Sequence, residues 1–237
     1  MGHGTVVMMG RHVLSAPSFG EGRARGLVLN FSMPAEVVDI RSHSSSITSM
    51  LLDDGRVYLS RRYSEGDPVI SSEDAGAIAP RLVPLPGPAA QVLDLSETSG
   101  SVVMRDGTVL GWGGGGPQQP DPNLTDVAYI GQGSMFACAL SRHGRVRCWG
   151  SSDQGELGIG IIDDPLRLDR PPPIVMRPPG PEVDLPPVRE LGVGYSHACV
   201  LTMSDEVYCW GDTRGGAVGN GTTLRGQPTP VRLTLPP

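Results

Sequence analysis

The residues with the most definite chemistry are four cysteines, Cys138, Cys148, Cys199 and Cys209, arranged as two Cys-x9-Cys pairs. Neither pair has the Cys-x-x-Cys spacing of a redox centre, which leaves structural cross-links or buried thiols. One pair lies in FACALSRHGRVRCWG, Phe136 to Gly150, and the other in HACVLTMSDEVYCWG, His197 to Gly211. Each stretch reads as two alternating runs joined by a tight turn. A three-residue loop Arg142-His143-Gly144 puts Gly144 at the left-handed position of a type I turn with a G1 bulge, and Cys138 then stands opposite Cys148. The loop Met203-Ser204-Asp205 sets Cys199 opposite Cys209 in the same way. Asp205 replaces glycine there, and Asp visits the left-handed region more readily than most residues. Opposed residues of a non-hydrogen-bonded pair lie about 4.5 Å apart at Cα, within disulfide reach. Two cross-strand disulfides are predicted.

The other reactive residues form no constellation. His3, His12, His43, His143 and His197 are scattered without metal-ligand spacing. Asp53-Asp54 and Asp163-Asp164 are acidic turns that lack a full oxygen-ligand pattern. Gly113 to Gly116 has neither the lysine nor the strand–helix context of a phosphate loop. The expectation is a protein with no catalytic residues, cofactor or metal, and so not an enzyme. All three asparagines, Asn30, Asn123 and Asn220, begin Asn-x-Ser/Thr sequons and are candidate glycosylation sites.

Composition narrows the class. Among 237 residues there are 33 Gly and 23 Pro, yet 38% are apolar, which suits frequent turns around a real core. The net charge of −6 argues against a nucleic-acid binder, and all 19 basic residues are arginine. No run of about 20 apolar residues could cross a membrane as a helix. Paired cysteines persist in oxidising compartments, so an extracellular, periplasmic or cell-surface location is expected. Met1 to Gly10 lacks the basic start and apolar centre of a signal peptide, so either a leader has been removed or the inference of export is wrong.

The elements that must position the cysteines recur along the chain. Weaker copies of the hairpin appear at Thr5–Gly10 with Arg11–Leu14, at Ile47–Gly55 with Arg56–Leu59, and at Ser101–Gly107 with Thr108–Gly113. A short strand precedes the later copies, at Glu36–Arg41, Gln91–Leu95, Leu124–Ile130 and Val188–Val193. Arg81–Val83 and Val231–Thr234 are candidate fourth strands. Four short strands in a unit of about 40–50 residues is the habit of a β-propeller blade. Between the two strong copies lies a proline-rich insertion, 161–187, read as a stiff extended loop that excludes central strands. Long loops on rigid scaffolds carry binding function, which makes Arg170, Ile174, Met176 and Arg177 candidate partner-binding residues. Gly111 to Pro122 is read as a second, flexible loop.

The pattern Gly194-Tyr-Ser-His197-Ala-Cys199-Val-Leu201, then Glu206-Val-Tyr-Cys-Trp-Gly211, then Gly219-Asn-Gly-Thr222, resembles the repeat of the regulator-of-chromosome-condensation (RCC1) superfamily. So does Val146-Arg-Cys-Trp-Gly150 with Gly155-Glu-Leu-Gly-Ile-Gly160. The cysteine-bearing form looks like bacterial members. The resemblance implies an all-β propeller of four-stranded blades, usually about seven. Here about five are visible in one domain, and the chain both starts and stops inside a blade. A five-bladed ring closed by the terminal strands, a fragment, and a ring completed by a partner all remain open. Trp112, Trp149 and Trp210 end equivalent strands and are expected between blades, and His197 is expected to orient its blade.

The expected function is protein–protein interaction through rim loops, with an unknown protein or further copies of the chain as partner. Nucleotide exchange on a nuclear GTPase occurs in the superfamily, but the paired cysteines and acidic balance argue against it. The alternatives are self-assembly through open terminal strands, or a hydrolase or lyase at the propeller funnel.

Overall fold

The computed structural model describes residues 6–15, 28–42, 47–61, 80–95, 100–112, 119–162, 180–221 and 226–234. They contain 18 β-strands and no α-helix. The chain divides into two compact units, Met1–Arg105 with Trp112–Pro117, and Asp106–Gly111 with Gln118–Pro237.

In the first unit, β1 (Val6–Met9), β2 (His12–Ser15) and β3 (Val28–Ser32) form a three-stranded antiparallel sheet. A four-stranded meander follows, made of β4 (Val37–Ser42), β5 (Ile47–Leu52), β6 (Val57–Arg61) and β7 (Arg81–Leu82). Next, β8 (Ala89–Leu95) pairs with β9 (Gly100–Met104). Met33, Val37, Met50 and Leu52 are buried together, with Ala35, Ile40 and Tyr58 packed against them.

The second unit begins with β10 (Val109–Trp112) paired to β11 (Gln119–Pro120), although Trp112 itself groups with the first unit. Then come β12 (Val127–Gln132), β13 (Phe136–Ser141) and β14 (Val146–Gly150) as one sheet. The last is a four-stranded sheet of β15 (Val188–Val193), β16 (His197–Thr202), β17 (Val207–Gly211) and β18 (Gln227–Arg232). The register places Cys138 opposite Cys148 and Cys199 opposite Cys209. Both pairs are disulfides, with Cα atoms 4.0 Å and 4.1 Å apart. Phe136, Cys138, Leu140, Val146 and Cys148 on one sheet pack against Val188, Leu191, Ala198, Val200 and Trp210 on the next.

Several expectations change. β3 and β11 carry no alternating apolar signal, and β11 sits inside the stretch read as a flexible loop. β12 begins at Val127, because Leu124 N donates to Asp121 O at 3.2 Å in a turn. β18 begins at Gln227, before its prolines, which an edge strand tolerates. The proline-rich insertion is not wholly a surface connector. Gly180 N donates to Cys148 O and Val183 N to Val146 O, while Glu182 bridges Arg147, so its last residues line the free edge of β14. Arg145 and Arg147 both reach the Glu182 carboxylate, at 2.8 Å and 3.3 Å.

One link recurs. The N–H of Val37 donates to Gly10 O, Ala89 to Gly55 O, Val127 to Gly107 O and Val188 to Gly144 O, at 2.9–3.1 Å. Each joins the start of an inner strand to the hairpin turn of the sheet before it. The turn glycine is needed twice over at Gly144, where φ is 76° and a Cβ would lie 2.9 Å from both N and O of Val188. Gly215 also has positive φ, 67°, but opens onto free space. Gly144→Ala is therefore expected to cost roughly 3 kcal/mol, against about 1 kcal/mol for Gly215→Ala. Urea unfolding of the two variants tests this, and equal losses would show that the strand contact adds nothing.

Candidate functional site

The alternation of the second unit sends the loops β12–β13, β14 onward, β15–β16 and β17–β18 to one end of its sheets. They are tied there by backbone hydrogen bonds of equivalent geometry. Ser151 N donates to Met135 O and Asp212 N to Ser196 O, both at 2.8 Å. Gly133 N and Gly194 N donate to Phe136 O and His197 O, and Ser134 N donates across to Tyr195 O. The loop 151–160 crosses onto the last sheet. Gly160 N donates to Pro228 O, and Trp210 Nε1 donates to Glu156 O at 2.8 Å. Gly158 lies so close over the indole that a Cβ would sit 2.8 Å from Trp210 Nε1.

This rigid end exposes large apolar side chains. Tyr195 is 79% exposed, Met135 57%, Ile161 51% and Ile162 45%. Tyr195 and Met135 sit on equivalent loops, joined by the Ser134–Tyr195 bond. Beside them Asp212 grips the Arg214 guanidinium at 2.7–3.0 Å, which holds the Asp212 carboxyl below its usual range. Glu156 is buried, accepts from Gln154 N at 2.8 Å, and is pushed up by desolvation, with Asp153 and Asp212 adding to the effect.

The residues singled out from sequence fall as follows. Trp149 and Trp210 are buried, and Trp112 ends β10 with its side chain outside the described residues. The half-buried His197 ring packs over Gly194, where a Cβ would meet it at 2.4 Å. Asn123 is exposed beside the Asp121 turn, whereas Asn220 Nδ2 donates to Gln227 Oε1 at 3.3 Å. Asn30 lies in β3, its side chain outside the described residues. Arg170, Ile174, Met176 and Arg177 also lie outside the described residues. Among the described residues no three His, Cys, Asp or Glu side chains gather as metal ligands. An open groove of about 390 Å³ in the first unit is lined by Asp54, Arg56, Leu82 and Leu85, and its two charges are spent on each other at 2.6 Å. Tyr195, Met135 and the two isoleucines were not anticipated. The signal for Met135 and Tyr195 is an apolar residue soon after the loop glycines Gly133 and Gly194, while Ile161 and Ile162 open the insertion read as a binding loop.

The buried carboxyl sets a pH dependence. Glu156 is easier to protonate in the folded chain than in the unfolded one, so its contribution falls as pH rises from the ordinary carboxyl range toward neutrality. Glu156→Gln keeps an acceptor for Gln154 N and removes the charge. It is expected to raise Tm at pH 7 by about 2–4 °C, the shift ~1 kcal/mol gives at this size, and to flatten the profile below. An unchanged melting profile from pH 4 to pH 7 would refute this.

Comparison with known proteins follows the same repeats. The pattern described as "Regulator of chromosome condensation (RCC1) repeat" matches residues 127–156 and 188–216. The E3 ubiquitin-protein ligase HERC2 of Mus musculus and of Homo sapiens is 31% identical over 212 residues, covering 79% of this chain. The chain spans only 4% of the length of those relatives. Among solved structures, human WBSCR16 has a TM-score of 0.66 at 20% identity, with 98% of this chain and 65% of that one covered. Yeast RCC1 (Prp20), solved with Kap60 bound, has a TM-score of 0.64 at 19% identity, covering 100% and 63%. Prp20p of Saccharomyces cerevisiae, described with its binding to Gsp1p and histones, scores 0.61 at 15% identity. The repeats, the relatives and the shared fold agree: the chain is an RCC1-like repeat protein of the β-propeller class.

Proposed function

We propose that this protein is a non-enzymatic module, exported to an oxidising compartment, that holds a partner protein on the loop end of its second unit. The observation that carries the reading is that Tyr195, Met135, Ile161 and Ile162 are all exposed on loops tied to one another by hydrogen bonds to their backbone. Contiguous exposed apolar side chains beside polar groups are characteristic of protein contact sites, and aromatic anchors dominate such contacts. The mixed charges of Asp212, Arg214 and Asp153 supply a polar border. Ile161 and Ile162 begin the insertion 161–187 that also carries Arg170, Ile174, Met176 and Arg177, so those residues extend the same reading. Export rests on the cysteines, all four of which are in disulfides. RCC1-like relatives whose descriptions name bound proteins support protein contact as the general mode.

The test is capture of the partner from the source's own extracellular fraction by the immobilised chain, followed by titration of the identified protein. Tyr195→Ser and Met135→Ser are each expected to weaken binding at least about tenfold, the loss of a ~1.4 kcal/mol anchor, without lowering Tm. Unchanged affinity in both variants would refute this surface.

A further inference from the structure

All three asparagines of the chain stand in the pattern Asn-x-Ser/Thr with x other than proline, and the fold treats them differently. Asn123-Leu124-Thr125 lies in the turn between β11 and β12. Asp121 N donates to Val109 O at 2.9 Å, Leu124 N to Asp121 O at 3.2 Å, and Asn123 N to the Asp121 carboxylate at 2.8 Å. The aspartate thus bonds the backbone two residues on, as in an Asx turn, and the turn holds its shape without the Asn123 side chain. Leu124 is buried, while Asn123 and Thr125 on either side of it are exposed. The amide and the hydroxyl of this sequon are therefore both open to solvent, with the leucine between them as anchor.

Asn220-Gly221-Thr222 is placed otherwise. Asn220 is half-buried, and its Nδ2 donates to Gln227 Oε1 at 3.3 Å, while Gln227 Nε2 donates on to Thr229 O at 2.9 Å. A sugar on that nitrogen would have to fit against β18. The two sequons also lie at opposite ends of the second unit. Asn123 is at the hairpin-turn end, where Val127 N donates to Gly107 O and Arg142 N to Asp126 O. Asn220 lies between β17 and β18, at the loop end that also presents Tyr195 and Met135. Bulk is tolerated at the first and would crowd the contact loops at the second.

We propose that Asn123 carries an N-linked oligosaccharide and that Asn220 does not, an inference that rests on the reading of the chain as exported. The donor is an oligosaccharide linked to a lipid pyrophosphate, supplied with its transferase on the export route. Asn123 Nδ2 forms the new bond to C1 of the first sugar, the bond from C1 to the pyrophosphate oxygen breaks, and the lipid pyrophosphate leaves. The proton lost from Nδ2 goes to a base of the transferase, and Thr125 supplies the hydroxyl that the acceptor pattern requires. An attached glycan is bulky and solubilising. At Asn123 it covers the turn end of the unit and leaves the Tyr195 end free for a partner.

The test is mass spectrometry of the full chain purified from its source, cells and surroundings together, after peptide-N-glycosidase treatment in heavy-oxygen water. Release of a glycan turns its asparagine into a heavy-labelled aspartate. The label separates this from spontaneous deamidation, which an Asn-Gly pair such as Asn220-Gly221 undergoes readily. Label at position 123 and none at 220 is expected. An unlabelled Asn123 in a chain whose four cysteines are all in disulfides overturns the proposal and leaves export standing. An unlabelled Asn123 with four free thiols removes both. Label at Asn220 overturns the distinction drawn between the two sites. Thr125→Ala, expressed in the same source, is expected to lose the label at 123 and Thr125→Ser to keep it, and the reverse result in either variant would overturn the assignment.

Discussion

A single backbone hydrogen bond, from the first residue of an inner strand to the hairpin carbonyl before it, holds the repeats in register. It occurs at Gly10, Gly55, Gly107 and Gly144, and it fixes both the spacing and the vertical position of successive sheets inside each unit. The same inner strand is tied to its own hairpin from the other side. Asp53, Arg105, Arg142 and Met203 donate to the carbonyls of Glu36, Pro88, Asp126 and Pro187. Each strand start is thus clamped between two turns. The close approach leaves no room for a Cβ at Gly55, Gly107 and Gly144, whereas Gly10 keeps open space beside the same link.

The loops at the other end depend on this clamp indirectly. With turns fixed at one end and a disulfide across the middle of the β13–β14 and β16–β17 hairpins, the opposite loops of these two sheets have little freedom left. The indole of Trp210 then pins the glycine-rich loop of the preceding repeat through Glu156 O. An exposed tyrosine on such a support loses little entropy when a partner arrives, because its backbone is already ordered. Rigidity in the repeats therefore favours affinity in the loops.

Much of the second unit could be read from its sequence. The Cys138–Cys148 and Cys199–Cys209 registers follow from turn length, and β15 matches its expected bounds, because there local pattern and tertiary need coincide. The outer strands could not be read so. β3, β11 and the 180–183 edge are joined to their sheets by backbone pairing, which leaves no mark on side-chain alternation. Prolines in 180–187 and 227–230 pointed away from strand for a sound reason, yet an edge strand leaves half its N–H groups unused. The exposed Tyr195 and Met135 were hidden for the opposite reason: one apolar residue in a loop has no period, and only its exposure after folding sets it apart.

The proline-bearing edges have a further consequence. Pro228 and Pro230 occupy two of the six positions of β18, and the segment that lines β14 contains Pro181 and is followed by Pro186 and Pro187. An incoming strand needs a continuous row of donors and acceptors, and each proline deletes a donor from that row. The sheets of the second unit are thus guarded against growth outward, edge to edge, into aggregates. Among the described residues of this unit, what stays open to contact includes a set of loops, where side chains rather than backbone choose the partner.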